Sequence, residues 1–74
     1  MTEHVKHIVD NLPFNPGIYM MKDENGKIIY VGKAISLRKR VRQYFQKNNK
    51  SARIEKMVSL IRDISYIVTE NEVE

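Results

Sequence analysis

The sequence holds no cysteine in its 74 residues. That absence excludes disulfides and any thiolate metal site. Tryptophan is missing too, and the longest apolar runs are far too short to span a bilayer. The first residues alternate charged and apolar side chains, so no secretory leader is visible and a cytoplasmic location is expected. Acid is lacking in one place: from Lys27 to Ile54 there is no Asp or Glu. That interval carries Lys27, Lys33, Arg38, Lys39, Arg40, Arg42, Lys47, Lys50 and Arg53. The acids lie outside it, at both ends, and the net charge is +4. A one-signed segment in an otherwise mixed chain points to an anionic partner, nucleic acid first. A membrane surface fits less well, because the segment has no broad Trp- or Leu-rich face to insert.

A chain of this length makes one small domain, here residues 1–74. Such a domain buries only about 60% of the surface its unfolded chain exposes, so losing one element matters. Val5, Ile8, Val9 and Leu12 follow the spacing of one helical face. Thr2 is placed to cap that helix and Pro13 to end it. Phe14-Asn15-Pro16-Gly17 reads as a turn into a strand. Ile18 to Lys22 and Lys27 to Val31 are β-rich runs around Asp23-Glu24-Asn25-Gly26. Asn-Gly supplies the positive φ of a tight hairpin turn. A loop of Asn25-Gly26 alone pairs Met21 with Tyr30 and Tyr19 with Gly32. A loop from Asp23 to Gly26 pairs Tyr19 directly with Tyr30. Either puts both tyrosines on one face, and only a one-residue slip separates them. Gly32 is expected to let the backbone turn tightly after the second strand.

Ser36 is a good N-cap for a helix from about Leu37 to Lys47, with Leu37, Val41 and Phe45 as its buried stripe. At about 100° per residue, Arg40 and Tyr44 share one flank of that stripe, and Arg38 and Arg42 share the other. Ser51 starts another helix, whose face is Ile54, Met57, Val58 and Ile61. Ile64 to Thr69 is nearly all apolar or β-branched, which predicts a central strand buried on both faces. Asn71 followed by Glu74 is a helix-start signature, so the chain is expected to be a truncated piece of a longer protein. His4 and His7 have no carboxylate motif beside them and read as a solvated helix face.

Two tyrosines on a shared strand face, a lysine after them, and an Arg–Tyr pair on a helix flank form a constellation. GIY and YVG at this spacing, followed by KA, L, R and YF, closely resemble the GIY-YIG nuclease superfamily. Within it, PGIYMMKDENGKIIYVGKAISLRKRVRQYF is most similar to the UvrC branch, the N-terminal nuclease domains of bacterial nucleotide excision repair. The resemblance implies an α/β (α+β) sandwich, a small three-stranded antiparallel sheet flanked by helices, with the last helix missing here. It implies metal-dependent DNA cleavage on the 3′ side of a lesion. Tyr30 then activates the attacking water, Tyr19 orients Tyr30 or the water, Arg40 braces the phosphate, and Lys33 and Tyr44 support them. A free phenol is only about one part in a thousand ionised at pH 7. The expectation is therefore that Lys33, Arg40 or a metal favours the phenolate. Arg38, Lys39, Arg42 and Lys47 are expected DNA contacts.

The same resemblance implies Mg²⁺ or Mn²⁺ in the complete domain, held by a glutamate beyond Glu74, and so no metal ligand and poor cleavage in these residues alone. It implies UvrB as a partner through other regions, with UvrA earlier in the pathway. Two other readings compete. One is a module that binds DNA without cutting it; the other is a homing or stand-alone nuclease of the same superfamily.

Overall fold

A computed structural model describes residues 1–46 and 51–70. Its elements run α1 (Glu3–Asp10), β1 (Gly17–Lys22), β2 (Ile28–Ala34), α2 (Leu37–Phe45), α3 (Ala52–Leu60) and β3 (Asp63–Val68). Local sequence places the helices. The Thr2 hydroxyl accepts from Val5 N–H at the start of α1, and the Ser51 hydroxyl accepts from Ile54 N–H at the start of α3. Each satisfies an amide that the helix leaves without a partner. Lys47 and the stretch Asn71–Glu74 lie outside the described residues, and so does the expected helix start there.

Ser36 does occupy the N-cap of α2, but its side chain makes no capping bond. Neighbouring backbone does that work instead. Leu37 N–H donates to Asn15 O at 3.0 Å, and Arg38 N–H donates to Pro13 O at 3.1 Å. The Ser36 hydroxyl is left buried with no hydrogen-bond partner. The turn before β1 therefore clamps the start of α2.

The sheet has the order β2-β1-β3, antiparallel throughout. β3 is thus an edge strand, not the expected central one. Tyr66, Ile67 and Val68 are 42%, 56% and 47% exposed, so that expectation of two-sided burial is overturned. The apolarity of a run reports its composition, not how many neighbours it gains. β1 holds the centre because the hairpin leaves its second edge free, and β3 docks there.

The hairpin uses neither expected loop. Asp23 N–H donates to Lys27 O at 2.9 Å, and Gly26 N–H donates to Asp23 O at 3.0 Å. Three residues therefore span the turn, and Gly26 takes the positive φ of 77° that it requires. Regular pairing from such a turn would set Tyr30 opposite Met20 and send the two tyrosines to opposite faces. A β-bulge intervenes: Lys22 pairs with Ile28, but Met21 pairs with Tyr30 and Tyr19 with Gly32. The extra residue, Ile29, shifts the register by one and returns both tyrosines to one face.

That face meets the helices. Val5, Val9 and Leu12 pack with Leu37, Val41 and Ile61 over Tyr19, Met21 and Ile64. Full burial of a Leu- or Val-sized side chain contributes about 1.5–3 kcal/mol. Gly17 admits this packing: a Cβ there would strike the Ile67 carbonyl and lie 2.8 Å from Leu37 Cδ1.

Candidate active site

Three phenols gather where β1, β2 and α2 meet. The Tyr19 and Tyr30 rings lie 6.3 Å apart, Tyr19 and Tyr44 6.0 Å, and Tyr30 and Tyr44 5.9 Å. Tyr19 comes from the central strand and is 1% exposed, whereas Tyr30 on the edge strand is 36% exposed. Tyr44 reaches them because it stands one turn after Arg40, on the flank of α2 that faces the hairpin. The Tyr19 and Tyr44 hydroxyls are 3.0 Å apart and hydrogen-bonded. Tyr44 also acts on the ionisation of Tyr30, and Tyr19 on that of Arg40. The cluster thus joins a buried phenol, Tyr19, and a half-buried one, Tyr44, to two exposed side chains, Arg40 and Tyr30.

The electrostatics bear on the ionisation of Tyr30. The Tyr30 phenol sits above its ordinary range, first because of its hydrogen bond with Tyr44, then the charge Tyr44 can carry, then burial. Arg40 pulls the other way but does not prevail. Tyr44 is also raised, by burial first and then by its bond with Tyr19. Arg40 is held more firmly as a cation, chiefly by its bond to Tyr19. As it stands, the protein presents a neutral phenol at Tyr30 beside a fixed guanidinium.

Lys33 goes elsewhere. It pairs with Ile18 and alternates to the face of the sheet opposite the tyrosines. It lines an open groove with Ser36, Lys39, Arg40 and Gln43, and it is not among the charges that act on Tyr30. Gly32 is not the expected turn residue either; it lies inside β2. A Cβ at Gly32 would strike Cζ and Oη of Tyr19 and stand 2.8 Å from its Cε1. The signal for this was the pairing of Tyr19 with Gly32, a large ring opposite a residue with no side chain.

The second flank of α2 divides. Arg38 Nε donates to Leu12 O at 2.6 Å, and its guanidinium lies 4.4 Å from the Phe14 ring centroid. It is half-buried against the turn before β1, whereas Lys39 and Arg42 are exposed. His4 meets Asp63 at 3.0 Å on the surface, with no third ligand type beside them. Among the described residues no group of three or more His, Asp or Glu could hold a metal ion. The site as described supplies phenols and a guanidinium, which do not make a ligand set for Mg²⁺. No helix of the described residues is long and apolar enough to cross a membrane.

The small antiparallel sheet with its helices matches the fold of a solved GIY-YIG domain. The sequence profile of the UvrC-like GIY-YIG domain matches residues 15–74, and the chain belongs to that family. The chain is similar to UvrABC system protein C of Caldicellulosiruptor saccharolyticus, 62% identical over 64 residues that cover 86% of this chain and 11% of that one. The corresponding protein of Acetivibrio thermocellus is 51% identical over 71 residues, covering 95% of this chain and again 11% of that one. The chain thus spans about a tenth of the length of the curated relatives it matches. Its fold is also similar to the solved GIY-YIG N-terminal endonuclease domain of UvrC from Thermotoga maritima bound to its catalytic divalent cation, magnesium. That likeness has a TM-score of 0.83 at 30% identity and covers 97% of this chain and 78% of that one.

Proposed function

We propose that this domain is the nuclease module of a UvrC-type protein and hydrolyses a DNA phosphodiester on the 3′ side of a lesion. The observation that carries the reading is the hairpin cluster: the three phenol rings within 6.3 Å of one another and the Tyr19–Tyr44 hydroxyl bond, with an exposed cation, Arg40, and an accessible phenol, Tyr30, acting on it. Arg40 offers a planar fork to two phosphate oxygens. Tyr30 is the exposed phenol that engages the attacking water. Tyr19 and Tyr44 hold it through Tyr44's hydroxyl, and Lys33 serves the groove beside Arg40. Lys39 and Arg42 contact the DNA backbone, with Lys47 beyond them in the same basic segment. A divalent cation, Mg²⁺ or Mn²⁺, supplies Lewis-acid charge in the complete domain. The described residues do not hold it, so its carboxylate ligand is assigned outside them. Residues 1–74 are one domain of a longer cytoplasmic protein that works with UvrB, after UvrA, through its other regions.

A supercoiled-plasmid nicking assay tests this, with full-length protein and Mg²⁺ or Mn²⁺. Tyr30→Phe is expected to abolish nicking while circular dichroism and DNA affinity stay unchanged. Undiminished nicking by Tyr30→Phe removes Tyr30 from the chemistry.

One observation favours a second reading for residues 1–74 alone. The phenol–arginine cluster carries no carboxylate of its own, and for these residues alone we infer DNA binding without cutting. Efficient Mg²⁺-dependent nicking by the 74-residue chain overturns that reading.

A further inference from the structure

Gly32 has no side chain, and the Tyr19 ring fills the space where one would stand. The ring cannot simply swing aside. It is 1% exposed, packed in the main core, and its hydroxyl is bonded to that of Tyr44 at 3.0 Å. Gly32 also has no positive φ to explain it, since Gly26 alone among the described residues has one. Its lack of a Cβ is therefore a demand of space, not of backbone conformation.

We propose that Gly32 is a positioning residue for the active site: the vacant Cβ position seats the Tyr19 hydroxyl at the depth where it bonds the Tyr44 hydroxyl. A methyl group at position 32 lifts the ring off β2. The hydroxyl then leaves its 3.0 Å contact with Tyr44, and Tyr30 loses the partner that Tyr44 was held to be. Displacement by about an ångström at such a centre can cost about a hundredfold in rate. The effect on catalysis rests on the nuclease reading above; the effect on the phenols does not.

Two measurements keep these apart. The first is an NMR titration of the 74-residue chain with ring-labelled tyrosine. Tyr44 owes part of its raised ionisation to the bond with Tyr19, so Gly32→Ala is expected to lower the pH at which Tyr44 titrates. A folded Gly32→Ala chain in which Tyr44 titrates as before overturns the proposal. The second is a nicking assay with full-length protein. Gly32→Ala is expected to lower the turnover rate about a hundredfold with DNA affinity unchanged. In a Tyr19→Phe background the same change is expected to cost little more, because the hydroxyl it acts through is gone. Independent, multiplying losses overturn the proposal. If wild-type protein does not nick, the nuclease reading fails while the titration still decides the role of Gly32. Should Gly32→Ala alone not fold, Gly32→Ala with Tyr19→Leu is expected to fold, since leucine ends short of the contested space. Failure of that pair to fold shows that Gly32 serves something other than Tyr19.

Discussion

The two flanks of α2 start from nearly the same chemistry and end in different work. Each presents an arginine near the start of the helix, at Arg38 and Arg40, and a polar residue one turn later, at Arg42 and Tyr44. On the hairpin side, Arg40 stands by the phenols, which hold it as a cation, and it is exposed. On the α1 side, Arg38 meets a carbonyl and the Phe14 ring, so it closes the turn that clamps the helix. What an arginine does is set by what the opposing backbone offers it. A carbonyl at 2.6 Å makes a brace; a cluster of phenols leaves the guanidinium exposed, as the proposed phosphate contact requires.

The largest expected effect comes from breaking the hairpin flank. Arg40→Lys keeps the charge but loses the planar fork, and nicking by full-length protein is expected to fall roughly a hundredfold or more. A loss below about threefold means that the fork is not used. Next comes the other flank. Arg38→Ala is expected to lower unfolding free energy by about 1.5–3 kcal/mol, the usual range for a hydrogen bond from a charged group. The salt dependence of DNA binding should stay the same, whereas Lys39→Ala or Arg42→Ala should each reduce the slope by about 0.9. Chemical denaturation and DNA titrations at several salt concentrations separate these outcomes. A reduced slope in Arg38→Ala returns Arg38 to the DNA contacts.

The smallest effect distinguishes the flanks by pH. Tyr30 and Tyr44 have folded-state ionisations above their ordinary values. A group raised on folding adds stability that is complete below its unfolded pKa, about 10 for a phenol, and lost as pH rises through the folded value. Stability of the wild type is therefore expected to decline above about pH 10. Tyr30→Phe and Tyr44→Phe are each expected to flatten that decline, and Arg38→Ala to leave its shape unchanged. Denaturant midpoints measured across alkaline pH give the answer.

Much of this was legible in the chain. The three helices follow from period and caps, because Thr2 and Ser51 act on amides three residues away. The pairing of Arg40 with Tyr44 on one flank follows from helical pitch alone. The strands were found, but their order was not, since β3 is apolar enough for a centre yet lies at an edge. Ser36 was correctly placed at the N-cap and wrongly given the capping bond, because Pro13 and Asn15 carbonyls reach the helix from more than twenty residues earlier in the chain.

By itself the sequence determined the periodic elements, the acid-free interval and the set of residues that could form the site. Those depend on contacts within a few residues, which local spacing encodes. Tertiary structure alone decided the rest. The bulge at Ile29 turns Tyr30 to the face of Tyr19, Gly32 gives space to a ring, and Arg38 is drawn away from its neighbour's task. The last is fixed by an atom from a distant segment, the Leu12 carbonyl, 26 residues away in the chain, and the first two depend on how the hairpin pairs rather than on the period of either strand.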